Sequence, residues 1–193
     1  MKKLLLTAVA ITIFILFNHS YAQDKWSLEL RPGINYATKD ISDADLGLGF
    51  GGELTVAYRF MPHLAAYAGW SYNNFGVDQS FAGTDASIEE TGYTFGLQFI
   101  HPIGESNISY LLRAGGTYNH IEIENNDGEI IIDSGHGFGW QAEAGLIIAL
   151  SQKFSLLPSL RYRSLNRDIE INSVKTSVDL NYLSFGVGVS WSF

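Results

Sequence analysis

From Trp26 to the C-terminus, apolar and polar residues alternate with a period of two, and helical spacing is almost absent. Eight runs carry the alternation. The first sets Trp26, Leu28, Leu30, Ile34 and Tyr36 against Ser27, Glu29, Arg31, Gly33 and Asn35. The second sets Leu46, Leu48, Phe50, Leu54, Val56, Tyr58 and Phe60 against Gly47, Gly49, Gly51, Glu53, Thr55, Ala57 and Arg59. The third opposes Leu64, Ala66, Ala68, Trp70 and Tyr72 to Tyr67, Gly69, Ser71 and Asn73, and the fourth opposes Tyr93, Phe95, Leu97 and Phe99 to Thr94, Gly96 and Gln98. Further runs cover 108–118, 138–150, 154–163 and 183–193. The pattern predicts eight β-strands, each with one apolar and one polar face.

Which face is buried decides between a sandwich and a barrel. The polar face here is Gly, Ser and Thr with a few charges, not the Lys-rich surface that a soluble sandwich turns to water. Aromatic residues on the apolar face fall in two bands. Trp26, Tyr58, Phe60, Phe99, Tyr110, Phe154, Trp191 and Phe193 stand at one end of their strands, and Tyr36, Trp70, Tyr72, Tyr93, Tyr118, Phe138, Trp140 and Tyr162 at the other. Two girdles around an apolar belt predict an all-β fold, an eight-stranded antiparallel up-and-down transmembrane β-barrel. The connections at Met61–His63, His101–Asn107 and Ser151–Lys153 are short, whereas 37–45, about 76–89, 121–136 and 165–175 are long. Short and long alternate strictly, which places both termini on the periplasmic side and the long loops outside. Pro158 lacks a ladder donor, so a bulge or local irregularity is expected in the seventh strand.

Composition narrows the reading further. No cysteine is present, so disulfides, thiol nucleophiles and thiolate metal sites are excluded. The formal charge is −8, and loss of Lys2 and Lys3 with a leader takes it to −10, which argues against nucleic-acid partners. That leader is Met1–Ala22: two lysines, an apolar stretch from Leu4 to Phe17, then Ser20-Tyr21-Ala22 before Gln23. The stretch falls short of the roughly 20 residues a spanning helix needs and reads as a secretory signal peptide, leaving 23–193 as one barrel domain.

The chain ends Leu183-x-Phe185-x-Val187-x-Val189-x-Trp191-x-Phe193. With the eight runs, this ending resembles the small eight-stranded outer-membrane barrels of the OmpA/OmpX type, often grouped as porin-like outer-membrane β-barrel proteins. The resemblance covers essentially the whole mature chain. It implies the outer membrane of a Gram-negative bacterium, contact with outer-membrane lipid and lipopolysaccharide, and a C-terminal signal at Phe185, Val187, Val189, Trp191 and Phe193 read by the barrel-assembly machinery. It does not fix an activity.

Inward parity collects Glu29, Glu53 and Glu143 with Arg31, Arg59, Arg113, Arg161 and Arg163. Glu53, Arg113, Glu143 and Arg161 lie at similar depth and are expected to share a layer. Eight strands enclose only enough space for side chains, so this layer reads as a salt-bridged plug, with a gate or ion path as the other reading. Above the outer girdle the parity inverts: Ile121, Ile123, Leu165, Ile169, Ile171, Val178 and Leu180 take the inward positions. Strands extended past the membrane as hairpins, turning near Asn126-Asp127-Gly128 and Asn172-Ser173, would bury these residues inside. A one-residue bulge that resets the register is the alternative. The outward residues are then acidic: Glu122, Glu124, Asp127, Glu129, Asp168 and Glu170.

Some barrels of this size modify lipopolysaccharide acyl chains with a His, a Ser and an acid near the rim. His120, Asp133, Ser134 and His136 fall near the outer ends of the fifth and sixth runs, where such a set could form, but the acid and the Ser lie on a loop and the spacing matches no deacylase motif. No pair of histidines stands at metal-ligand spacing, and Asn125-Asn126-Asp127-Gly128 reads as a hairpin turn rather than a calcium loop. His63 and His101 read as solvated turn residues. Neither catalytic residues, nor a metal, nor a cofactor is expected. The sequence therefore points to a monomeric, non-enzymatic barrel with a structural or surface-adhesion role and an unidentified surface ligand. The alternative is a barrel that carries or modifies a lipid or small hydrophobic molecule.

Overall fold

The computed structural model describes residues 24–39, 46–80, 83–125, 127, 129–171 and 174–193, with the backbone alone at 77–80, 83–86, 168–171 and 174–177. The predicted leader, the residues Asn126, Gly128 and Asn172-Ser173 of the predicted turns, and the side chains of Ile169, Ile171, Asp168 and Glu170 lie outside what is described. Nine antiparallel strands follow in order: β1 (Trp26–Ala37), β2 (Leu46–Arg59), β3 (Leu64–Ser80), β4 (Gly83–Pro102), β5 (Ile108–Glu124), β6 (Ile130–Asp133), β7 (Gly137–Ala149), β8 (Phe154–Ile171) and β9 (Val174–Ser192). Eight of them close a ring in the order β4-β3-β2-β1-β9-β8-β7-β5, with β5 paired back to β4. β6 is a short flap on the outer part of β5, where Glu122 faces Asp133 across the ladder.

Closure is what lets a sheet live in an apolar solvent, because every interior strand edge finds a hydrogen-bonding partner. The seam joins the first strand to the last. Ser27 pairs with Ser192 and Ala37 with Tyr182. Beyond the ladder's end, the Trp26 amide donates to the Phe193 carbonyl at 3.1 Å and the Phe193 amide to the Trp26 carbonyl at 2.9 Å.

The sheet is apolar outside and polar inside. Phe50 and Phe138 are 67% and 73% exposed, while the inward Arg31, Glu53 and Arg163 are at most 2% exposed. At the end where Trp26 and Phe193 lie the connections are tight: 60–63, 103–107 and 150–153. The second of these is shorter than the sequence implied, because His101 and Pro102 still pair with Tyr110 and Ser109.

At the opposite end the strands run far beyond the girdle. β3 and β4 pair to Ser80↔Gly83, and β8 and β9 to Ile171↔Val174. The segment at about 76–89, read from sequence as a loop, is thus paired strand up to Ser80 and from Gly83; its Gly, Ser and Ala content resembles loop composition and masks the inward parity of Ile88. β4–β5 and β8–β9 keep one register throughout, so the parity inversion comes from extended strands and not from a bulge. Inside these extensions Leu46, Phe75, Ile88, Ile121, Ile123, Leu165, Val178, Leu180 and Tyr182 form one buried cluster.

Pro158 makes no bulge. It pairs with Val187 on one side, and on the other the ladder skips from Gly145↔Ser159 to Ile148↔Leu156 without changing register. A missing donor interrupts one ladder locally, and the neighbouring pairs hold the alignment. Pro32 opens the same kind of gap between Leu30↔Val189 and Gly33↔Gly186.

The inward glycines make room for large side chains. A Cβ at Gly186 would stand 2.6 Å from the Arg31 Cζ and 2.7 Å from the Pro32 carbonyl oxygen, whereas one at Gly76 would meet nothing within 4 Å. Gly186→Ala is therefore expected to destabilise the barrel by about 1–3 kcal/mol through overpacking. Gly76→Ala should stay within about 0.5 kcal/mol. Urea unfolding in lipid vesicles, followed by tryptophan fluorescence, measures both; equal effects would show that the Arg31 cradle is not tight.

Candidate functional site

Among the described residues, four buried arginines and four buried glutamates of the lumen are linked as a branched chain of ion pairs. Arg113 Nη2 meets Glu29 Oε2 at 2.6 Å and Arg113 Nη1 lies 3.6 Å from Glu143 Oε2. Arg161 donates to Glu53 at 2.7 and 3.1 Å and to Glu143 at 2.8 and 3.0 Å, lying between the two carboxylates. Arg163 continues the chain, to Glu53 at 3.0 Å and to both oxygens of Glu90 at 3.0 Å. Arg31 Nε stands 3.6 Å from Glu143 Oε1, but its hydrogen bonds run to Ser159 and Ser184.

The register explains why these residues meet. Arg31 faces Glu53 across β1–β2, Arg113 faces Glu143 across β5–β7, and Glu143 faces Arg161 across β7–β8. Opposite charges thus sit in cross-strand pairs on the inward face, where long side chains also reach across the lumen. The four residues expected to share a layer, Glu53, Arg113, Glu143 and Arg161, stand together. Glu29, Arg31, Arg163 and Glu90 extend that layer toward both ends. Arg59, counted inward from its parity, is exposed and lines a cavity of about 150 Å³ at the end that carries the termini.

Neutral polar groups complete the packing. Gln98 accepts from Arg113 at 2.9 Å, and Gln141 accepts from Arg163 at 2.7 and 3.1 Å while donating to the Tyr67 hydroxyl at 3.1 Å. Tyr182 joins two regions: its hydroxyl donates to Glu90 at 2.7 Å and its ring packs edge-on against Phe75. Above it begins the buried apolar cluster, so the charged network is bounded on that side by apolar side chains.

Glu90 and Tyr182 were not singled out from sequence. Glu90 lay next to the presumed loop, and Tyr182 just before the last recognised run. The signal for both was available: each keeps inward parity with Thr94 and Ser184.

The hairpin end carries a second polar group. His120 Nδ1 lies 3.3 Å from Asp133 Oδ1 and 3.5 Å from Glu122 Oε1, and the His136 ring stacks on that of His120 at 4.5 Å and 10°. The sequence had given no pair of histidines at ligand spacing; the chain that folds back through β6 brings this pair together. Ser134 Oγ accepts from the Ile121 amide and donates to the Gly135 carbonyl, which makes it a cap for the turn and not a nucleophile activated by His120.

Asn125 Oδ1 accepts from the Asp127 and Glu129 amides, which ties these three described residues together. Glu89, Glu122 and Glu124 also cluster on this face. Desolvation, and then the carboxylates of Glu89 and Glu122, raise the Glu124 carboxyl above its ordinary value. Its contribution to stability is therefore fullest in acid and declines as pH rises through that raised value. At the opposite end His63 and His101 are exposed, His63 in a turn as expected but His101 paired within β4, and their rings stack on each other at 4.8 Å.

An apolar, girdled exterior around a polar, charge-filled interior defines a membrane-spanning β-barrel. The chain belongs to the outer membrane protein beta-barrel family, whose domain it matches over residues 7–193. That membership assigns it to the outer membrane of a Gram-negative bacterium. No curated protein matches it. Among solved structures it is similar to outer membrane protein OprG from Pseudomonas aeruginosa, with a TM-score of 0.63 and 15% identity over 89% of this chain and 98% of that one. Neisserial surface protein A gives 0.60 and 16% over 90% and 100%, and outer membrane protein W of E. coli gives 0.57 and 12% over 90% and 100%. At these identities the likeness is one of fold.

The network predicts unequal costs. Arg161→Met leaves two buried carboxylates without their main partner and is expected to cost about 3–5 kcal/mol. Arg31→Met removes bonds to hydroxyls and carbonyls and should cost clearly less. Unfolding midpoints in urea decide the order; a larger loss for Arg31→Met would contradict the assignment of Arg161 as the hub.

Proposed function

We propose that this protein is a non-enzymatic outer-membrane barrel whose lumen is closed and whose work is done at the cell surface by its acidic hairpins. The observation that carries the reading is the unbroken chain Glu29, Arg113, Glu143, Arg161, Glu53, Arg163 and Glu90 beneath a dry apolar lid. A lumen filled in this way leaves no path for a solute, which shifts any activity to the exterior. Both termini and the tight turns then face the periplasm, and the hairpins face outward. The girdled face contacts membrane lipid and lipopolysaccharide.

The hairpins suit recognition because they are ordered ladders with acidic outer faces. Glu89, Glu122, Glu124, Asp127, Glu129 and Asp133 supply the charge, with Asp168 and Glu170 at register positions beside them on β8. β6 adds one strand edge whose Ile130 and Ile131 are exposed. A partner with a basic surface fits this face. Carriage of a lipid inside the barrel is less well supported, since the nine residues of the apolar cluster are no more than 7% exposed and fill the space with one another.

Two experiments test the reading. Replacing 121–136 with a short neutral turn should preserve insertion and heat-dependent gel mobility, yet abolish adherence of cells expressing the protein; unchanged adherence would place recognition elsewhere. The outward C-terminal row Phe185, Val187, Val189, Trp191 and Phe193 is proposed as the signal for the assembly machinery. Phe193→Asp should leave export intact and lower the folded protein in the outer membrane several-fold, whereas normal levels would remove that role from the ending.

A further inference from the structure

The cluster of His120, Glu122, Asp133 and His136 at the hairpin rim has no task in a sealed adhesive barrel. Its three inner members are placed by the ladder and not by loose loops. His120 and Glu122 are two apart on the outward face of β5, and Asp133 is the cross-strand partner of Glu122 on β6. His136 follows three residues later, in the short segment that leads into β7. Asp133 is held in turn, since its Oδ1 accepts the Gly135 amide at 2.8 Å.

The distances are those of a ligand set. A metal bound by nitrogen and oxygen at about 2.0–2.1 Å in tetrahedral geometry separates its ligand atoms by about 3.3–3.4 Å. His120 Nδ1 stands 3.3 Å from one carboxylate oxygen and 3.5 Å from the other, and the three ligand atoms all lie within 4.8 Å of one another. The first separation is that of a long hydrogen bond, and the second exceeds the usual N–H···O range. A single Nδ1–H can also point at only one acceptor, whereas a lone pair on Nδ1 and two carboxylates can converge on one cation. The exposed His136 imidazole stacks parallel on that of His120, with 4.5 Å between the ring centroids.

We propose that His120, Glu122 and Asp133, with His136 as the fourth ligand, bind a divalent transition metal of the zinc class at the extracellular rim. Imidazole in the set selects such metals over Ca²⁺ and Mg²⁺, which take oxygen ligands. Glu89 and Glu124 stand beside Glu122 and add negative charge that a divalent cation relieves. Once bound, the metal ties the β6 flap and the start of β7 to β5, and so fixes the hairpin that the proposed surface recognition uses. The metal site itself is independent of whether that recognition exists.

The test is calorimetric titration of ZnCl₂ into untagged, chelator-treated protein in detergent micelles, with variants compared. One saturable zinc per chain is expected. His120→Ala and Asp133→Asn should each weaken it at least about tenfold, the scale on which loss of a supporting group alone weakens a site. Both variants should retain the folded gel mobility of the parent, and His63→Ala, at the opposite end of the barrel, should bind zinc as the parent does. Absence of saturable binding overturns the proposal. So does binding that survives His120→Ala, loss of binding in His63→Ala, or displacement of zinc by equimolar Mg²⁺.

Discussion

The structure depends on one constraint: the barrel's exterior faces hydrocarbon, so every charge on the membrane-spanning strands has to be neutralised inside. An eight-stranded ring has room for side chains and little water. Four arginines and four glutamates share that room, and each guanidinium is placed where carboxylates or carbonyls use its donors. Buried ion pairs of this kind add little net stability compared with apolar packing, but breaking one is expensive. Their value lies in fixing which strands face which, because a slip of one residue would turn the whole set into the lipid.

Two layers divide the interior accordingly. Within the girdled belt the inside is charged and hydrogen-bonded; beyond it the outside meets water, and the inside becomes apolar. Tyr182 marks the boundary, with its hydroxyl on Glu90 and its ring on Phe75. The same change of solvent on the outer face explains both the parity inversion and the acidic hairpins. Arg167, near that boundary, donates to the carbonyls of Asn119, Gly137 and Phe138, where β7 begins.

The girdles, the eight runs and the alternation of short and long connections made the fold legible, because lipid imposes a period-two pattern with few exceptions. The central charge layer was legible for the same reason: parity and depth from the strand ends place Glu53, Arg113, Glu143 and Arg161 together. Glu90 and Phe75 were not legible because the small polar residues of 76–89 between them read as a loop and cut both off from the parity of their strands. The His120–His136 stack was not legible, since it depends on how far the chain runs out through β6 before returning to β7. At Pro158 the expected irregularity takes the form of a gap in the β7–β8 ladder and not of a bulge, because the continuous β8–β9 ladder on its other side holds the register.

The proposed closure of the lumen is tested most directly by conductance of the purified protein in planar bilayers at neutral pH and moderate salt. The account predicts a flat baseline for the wild-type protein over a wide voltage range, and intermittent ion-permeable openings when Glu53 and Glu143 are both replaced by alanine, which leaves Arg161 unpaired. Steady, ohmic openings of the wild-type barrel, unchanged in the double variant, would contradict it.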